Sequence, residues 1–128
     1  IQAAYRLIGE NKVDSAEAMA KEAYVLDRRS PFIYNAFAQI AKARQNYDEM
    51  FRQLDRAIEL ASKDTALVET SMQLRTQYAS TMQERAMQET DVAKRNEMLG
   101  RAARLYLAVG AANPASTDGP AYYSAALD

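Results

Sequence analysis

The sequence predicts an all-α chain built as a stack of helical hairpins, the third hairpin longer than the first two. Apolar residues recur three and four positions apart over most of its length, the spacing of one helical face. Little interrupts that spacing: there are four glycines and three prolines in 128 residues, and alanine, the best helix former, makes up about one residue in five. The chain also matches itself. Shifted by 34 residues, Ala4 falls on Ala38, Asp14 on Asp48, Ala23 on Ala57 and Leu26 on Leu60. A fixed period of that length marks stacked repeats, each burying its apolar face against a neighbour.

Residues 1–29 read as the first hairpin. A helix to about Gly9 turns Ala3, Ala4 and Leu7 inward, and Glu10-Asn11-Lys12 makes the turn. Asp14 is the expected cap of the next helix, with Glu17 three residues on completing an acidic capping box. That helix is expected to run to Arg28-Arg29, two cations suited to the negative end of a helix dipole or, alternatively, to a phosphate.

Residues 31–62 read as the second and best-formed hairpin. Ser30-Pro31 opens it, a hydroxyl cap followed by proline at the first helical position, where no donor is lost. Tyr34, Phe37, Ala38 and Ala41 share a face; Gln45-Asn46-Tyr47-Asp48 breaks the pattern; Met50, Leu54, Ala57, Ile58 and Leu60 resume it. Two helices joined by so short a turn lie antiparallel.

Residues 65–114 read as a stretched third hairpin. Asp64-Thr65 caps a helix of about six turns carrying Leu67, Ser71, Leu74, Tyr78 and Met82 on one face. After Glu89-Thr90-Asp91, a last long helix turns Met98, Leu99, Ala102, Leu105, Tyr106 and Val109 inward and stops at Asn113-Pro114. Met72, Met82, Met87 and Met98 cluster here, as core filling or as an adaptable surface. Residues 120–128 read as a partial capping helix. The whole of 1–128 is expected to be one domain and a fragment of a longer protein.

Within 31–64 the large–small pair Phe37-Ala38, the aromatic turn Tyr47-Asp48-Glu49 and the rhythm Leu54, Ala57, Leu60 resemble the tetratricopeptide repeat family. The chain departs from that pattern at Ala41, where a bulky residue is usual, at Met50, where a small one is, and at Ser62 in place of proline. The resemblance implies a right-handed α-solenoid whose first helices line a concave groove that accepts a peptide segment. By register that groove presents Tyr5 and Ile8, then Asn35, Gln39 and Lys42, then Glu69, Gln73 and Thr76. Asn and Gln suit such a wall, since their amides both donate to and accept from a peptide backbone. The Lys/Arg/Asn cluster with which the family's chaperone-tail binders clamp a terminal carboxylate is missing; only Lys42 stands in a suitable place.

Composition sets the limits on chemistry. The chain has no cysteine and no histidine, so disulfides, thiol catalysis, imidazole acid–base chemistry and thiolate or imidazole metal sites are excluded within it. No cofactor is implied. Glycines are isolated and form no phosphate loop. Carboxylates such as Asp48, Glu49, Asp55, Glu59 and Glu69 sit at helix starts or on polar faces, and the basic flank Lys94, Arg95, Arg101 and Arg104 has Glu84, Glu89 and Glu97 nearby. A formal net charge of −1 gives no field for nucleic acid, and no stretch approaches the roughly 20 apolar residues of a membrane span. The compartment stays open, cytoplasmic or periplasmic. The expectation is a non-catalytic interaction or scaffolding module with a protein or peptide partner. Two other classes stand beside it: the helical framework of a multidomain enzyme, and the peptide-sensing effector domain of a regulator.

Overall fold

The computed structural model describes residues 2–112, and every regular element among them is helical. They are α1 (Gln2–Gly9), α2 (Val13–Leu26), α3 (Pro31–Ala43), α4 (Tyr47–Ser62), a 3₁₀ turn (Thr65–Leu67), α5 (Val68–Met87) and α6 (Val92–Ala112). They form three hairpins, α1 with α2, α3 with α4 and α5 with α6. The third is the longest, at 20 and 21 residues against 8 to 16 for the helices before it. By contacts the chain divides into two compact units, Ile1–Ser71 and Met72–Asp128, with the boundary inside α5. The expected stop at Asn113-Pro114 and the capping helix at 120–128 lie outside the described residues.

The 34-residue period reappears in the backbone of the first unit. Asn11 and Gln45, one period apart, both have φ of 61°, in the left-handed region. At the first turn the Lys12 N–H donates to the Leu7 carbonyl (2.7 Å) and the Asn11 N–H to Ile8 (3.0 Å). At the second the Asn46 N–H donates to Ala41 (2.8 Å) and the Gln45 N–H to Lys42 (2.9 Å). Each pair is a Schellman motif, which satisfies carbonyls left over at a helix C-terminus. Asn tolerates the left-handed region, and Gln occupies it at a steric cost that Gly would avoid. Same offset, same bonds.

Packing in the first unit depends on small residues. Ala16 and Ala20 of α2 and Ala36 of α3 are fully buried and form one cluster with Ile40, against which Tyr5, Leu7, Ile8, Val13 and Phe37 pack. Alanine at such a seam lets helix axes approach closely. α3 packs on α1, α2 and α4, which is why Pro31, Ile33, Ala36, Ala38, Ile40 and Ala41 are all buried. The single face expected for this helix, with Tyr34 and Phe37 inward, is therefore too narrow: both aromatics are only half-buried. They stack edge-on against Tyr24, with ring centroids 6.0 and 6.1 Å away, and the Tyr34 hydroxyl donates to the Arg28 carbonyl at 2.9 Å. α4 turns Met50, Leu54, Ala57 and Ala61 inward. At the far end of the unit the Ser62 and Ser71 hydroxyls lie 3.2 Å apart.

Helix ends differ from the expected caps in three places. α2 starts at Val13 with no side-chain cap, and Asp14 lies in its first turn bonded to Arg44 instead. α2 ends at Leu26, so Arg28 and Arg29 stand beyond its last turn rather than within it; Arg28 lies over the Tyr24 ring at 5.5 Å. Ser30 precedes Pro31 as expected but makes no capping bond with its hydroxyl. Asn46, read as part of a turn, is a true cap, accepting from the Glu49 N–H at 3.4 Å.

In the second unit α5 contributes Leu74, Tyr78, Ala79, Met82 and Ala86 to the core, and α6 contributes Ala102, Tyr106 and Val109. Met98, Leu99 and Leu105 are half-buried. Asp91 caps α6, accepting from the Ala93 N–H at 3.0 Å and the Lys94 N–H at 3.3 Å. The hairpin is tied by the Tyr106 hydroxyl on Gln83 (3.4 Å) and by the Arg101 guanidinium over the Tyr78 ring (5.6 Å). Of the four clustered methionines, Met82 is core and Met87 is exposed.

Candidate functional site

Asn35, Gln39 and Lys42 fall at i, i+4 and i+7 on α3 and so share one stripe of it. The Gln39 amide nitrogen donates to the Asn35 side-chain carbonyl at 3.3 Å, and both residues are half-buried. Tyr5 joins them from α1. Its hydroxyl donates to the Phe32 carbonyl at 2.6 Å, across the two hairpins. Burial raises its pKa, opposed in part by a hydrogen bond with the Asn35 side chain. Tyr5, Asn35 and Gln39 thus form one polar line between the first helices of neighbouring hairpins, with Lys42 exposed beyond it. Tyr5→Phe removes the hydroxyl with its bonds to Phe32 and Asn35, and is expected to cost about 1–3 kcal/mol, at roughly 0.5–1.5 kcal/mol net for each hydrogen bond. Denaturant titration measures it as a fall in midpoint at constant slope.

The remaining expected groove residues lie on α1 and α5. Ile8 packs into the alanine cluster between the hairpins. Glu69 is exposed in the first turn of α5. Gln73 and Thr76 belong to the second unit, where Gln73 is exposed and the Thr76 hydroxyl donates back to the Met72 carbonyl at 2.9 Å.

Half a turn around α3 from that stripe lies a cleft of about 290 Å³. Phe37, Ile40 and Ala41 supply its apolar lining. Glu17 of α2 and Arg44, paired with each other, line it too. Asn46, Glu49 and Gln53, at the start of α4, complete the lining. Arg44 is held twice, Nη2 on Asp14 and Nη1 on Glu17, each at 2.7 Å. The hydrogen bond from Arg44 holds the Glu17 carboxyl below the usual carboxylate range, and in turn raises the pKa of Arg44. A depressed carboxylate stabilises fully above its unfolded value of about 4.3 and loses that contribution as pH falls through the lower folded one. Glu49 accepts from Gln53 at 2.8 Å and from Arg52. This cleft was not legible in the sequence. The only signal was a pair of carboxylates near the start of α2, Asp14 and Glu17, matched by a cation 30 and 27 residues later.

Among the described residues no three acidic side chains converge as a metal site, and no helix is long and apolar enough to cross a membrane. No family model, curated protein or solved structure matches the chain.

Proposed function

We propose that this chain is a non-catalytic, tetratricopeptide-like interaction module that binds an extended segment of a partner protein along the inner stripe of its first helices. The reading is carried by the Tyr5–Asn35–Gln39 line, set between hairpins that repeat one turn geometry at a 34-residue offset. The two amides together carry four N–H donors and two carbonyls; their mutual bond uses one of each, and the Asn35 side chain also bonds Tyr5. What remains suits a peptide backbone, which presents both kinds of group. Lys42 adds a cation at the end of the line.

The test uses a random peptide library displayed on phage, selected against the full chain, with affinities of the enriched peptides measured by fluorescence anisotropy. Few polar contacts predict micromolar dissociation constants. Asn35→Ala with Gln39→Ala is expected to weaken binding about tenfold, from two hydrogen bonds at roughly 0.5–1.5 kcal/mol each. Stability should fall by about 1–3 kcal/mol, because the Asn35–Gln39 and Asn35–Tyr5 bonds are lost as well, and binding is compared at a temperature where both chains are folded. Enriched peptides that bind the double variant as tightly as the parent chain sink the proposal.

A further inference from the structure

The inner stripe of α3 extends beyond its two amides. Phe32, Asn35, Gln39 and Lys42 fall at i, i+3, i+7 and i+10. At about 100° per residue all four lie within roughly 80° of arc. Phe32 is one of the exposed large apolar residues, at 40%, and its carbonyl accepts the Tyr5 hydroxyl that opens the polar line. Lys42 is exposed at the other end, and among the described residues no carboxylate pairs with it. An apolar ring, two amides and an unpaired cation therefore follow one another along a single edge of the helix.

Their spacing matches an extended chain laid beside α3. Asn35 and Gln39 are about 6 Å apart along the axis, close to the roughly 6.6 Å between alternate residues of such a chain. The two amides thus meet backbone groups of alternate residues. Phe32 and Lys42 are about 15 Å apart, the length of four to five extended residues. Side chains of an extended chain alternate between its two sides, so residues an even number apart face α3 together. Four is the even number that fits, and the flexible lysine stem covers the remaining distance.

We infer that the partner segment carries an apolar residue and an acidic residue four positions apart, the first on Phe32 and the second at Lys42. The apolar side chain removes exposed ring surface from water. The carboxylate meets a cation that has no other carboxylate to give up, where a basic residue meets like charge. The inference rests on the peptide-binding reading of the stripe and adds its sequence preference.

The experiment measures fluorescein-labelled Ser-Leu-Ser-Ala-Ser-Glu-Ser and its reversed sequence on the full chain by fluorescence anisotropy. One of the two orders is expected to bind with a micromolar dissociation constant. Lysine in place of the peptide's glutamate should weaken it about threefold. Lys42→Glu should invert that preference and tighten the lysine peptide, a gain that no folding defect can mimic. Phe32→Ala should weaken the leucine peptide about fivefold and leave a peptide with serine in place of leucine unchanged. Indifference to either substitution overturns the preference, and so does failure of both orders to bind while library-selected peptides bind the stripe. Library peptides that bind the Asn35→Ala, Gln39→Ala variant as tightly as the parent chain overturn the stripe reading and this preference together.

Discussion

Leu54→Ala is expected to destabilise the first unit by about 2–5 kcal/mol, towards the upper end of that range. Leu54 has no exposed surface, and neither have the α4 core residues Met50, Ala57 and Ala61 around it on the same face. The cost of a large-to-small change depends on how far the surroundings collapse into the space. Ala57 and Ala61 carry no rotatable side chain with which to fill it, and Met50 alone can only partly do so, so most of the cavity stays. Leu26→Ala is the control: at 87% exposure it should change stability by less than about 0.5 kcal/mol. Thermal unfolding followed by far-ultraviolet circular dichroism separates the two. A Leu54→Ala melt that overlies the Leu26→Ala melt contradicts the packing described for α4.

Ala36→Leu is expected to cost about 1–3 kcal/mol by overfilling the seam between the hairpins. Ala36 meets Ala16 and Ala20 with none of the three exposed, so added methyl groups must push α2 and α3 apart. Ala43→Leu, an exposed position on the same helix, should be nearly neutral. The seam also positions Tyr5 against Phe32 and Asn35, so Ala36→Leu should weaken binding of selected peptides even where the fold survives. If stability and binding are both unchanged, close helix approach is not what sets the hairpins together.

Much of this fold was legible in the sequence because its signals were local. Period and turn chemistry placed all three hairpins, and the length of the third followed from the missing turn formers between Leu67 and Glu89. Helix ends were less legible, since a cap depends on competition. Asp14 was a good cap by type, but Arg44, thirty residues away, takes its carboxylate. The face of α3 is poorly legible for a related reason: a helix packed on three neighbours is buried nearly all round, and no single-stripe pattern describes it. Of the candidate site, the Asn35–Gln39 spacing could be read directly. The Tyr5 bridge and the cleft could not, because they join residues of separate hairpins.

The most direct measurement is a ¹⁵N–¹H correlation spectrum of the side-chain amides of Asn35 and Gln39, recorded while a selected peptide is titrated into the full chain. These NH₂ groups are the ones proposed to contact the bound backbone, and Asn46 and Gln53, on the cleft, supply internal references. The Asn35 and Gln39 signals are expected to move saturably, with the dissociation constant found by anisotropy, while those of Asn46 and Gln53 stay. Peptide bound at full occupancy with the Asn35 and Gln39 signals unmoved would contradict it.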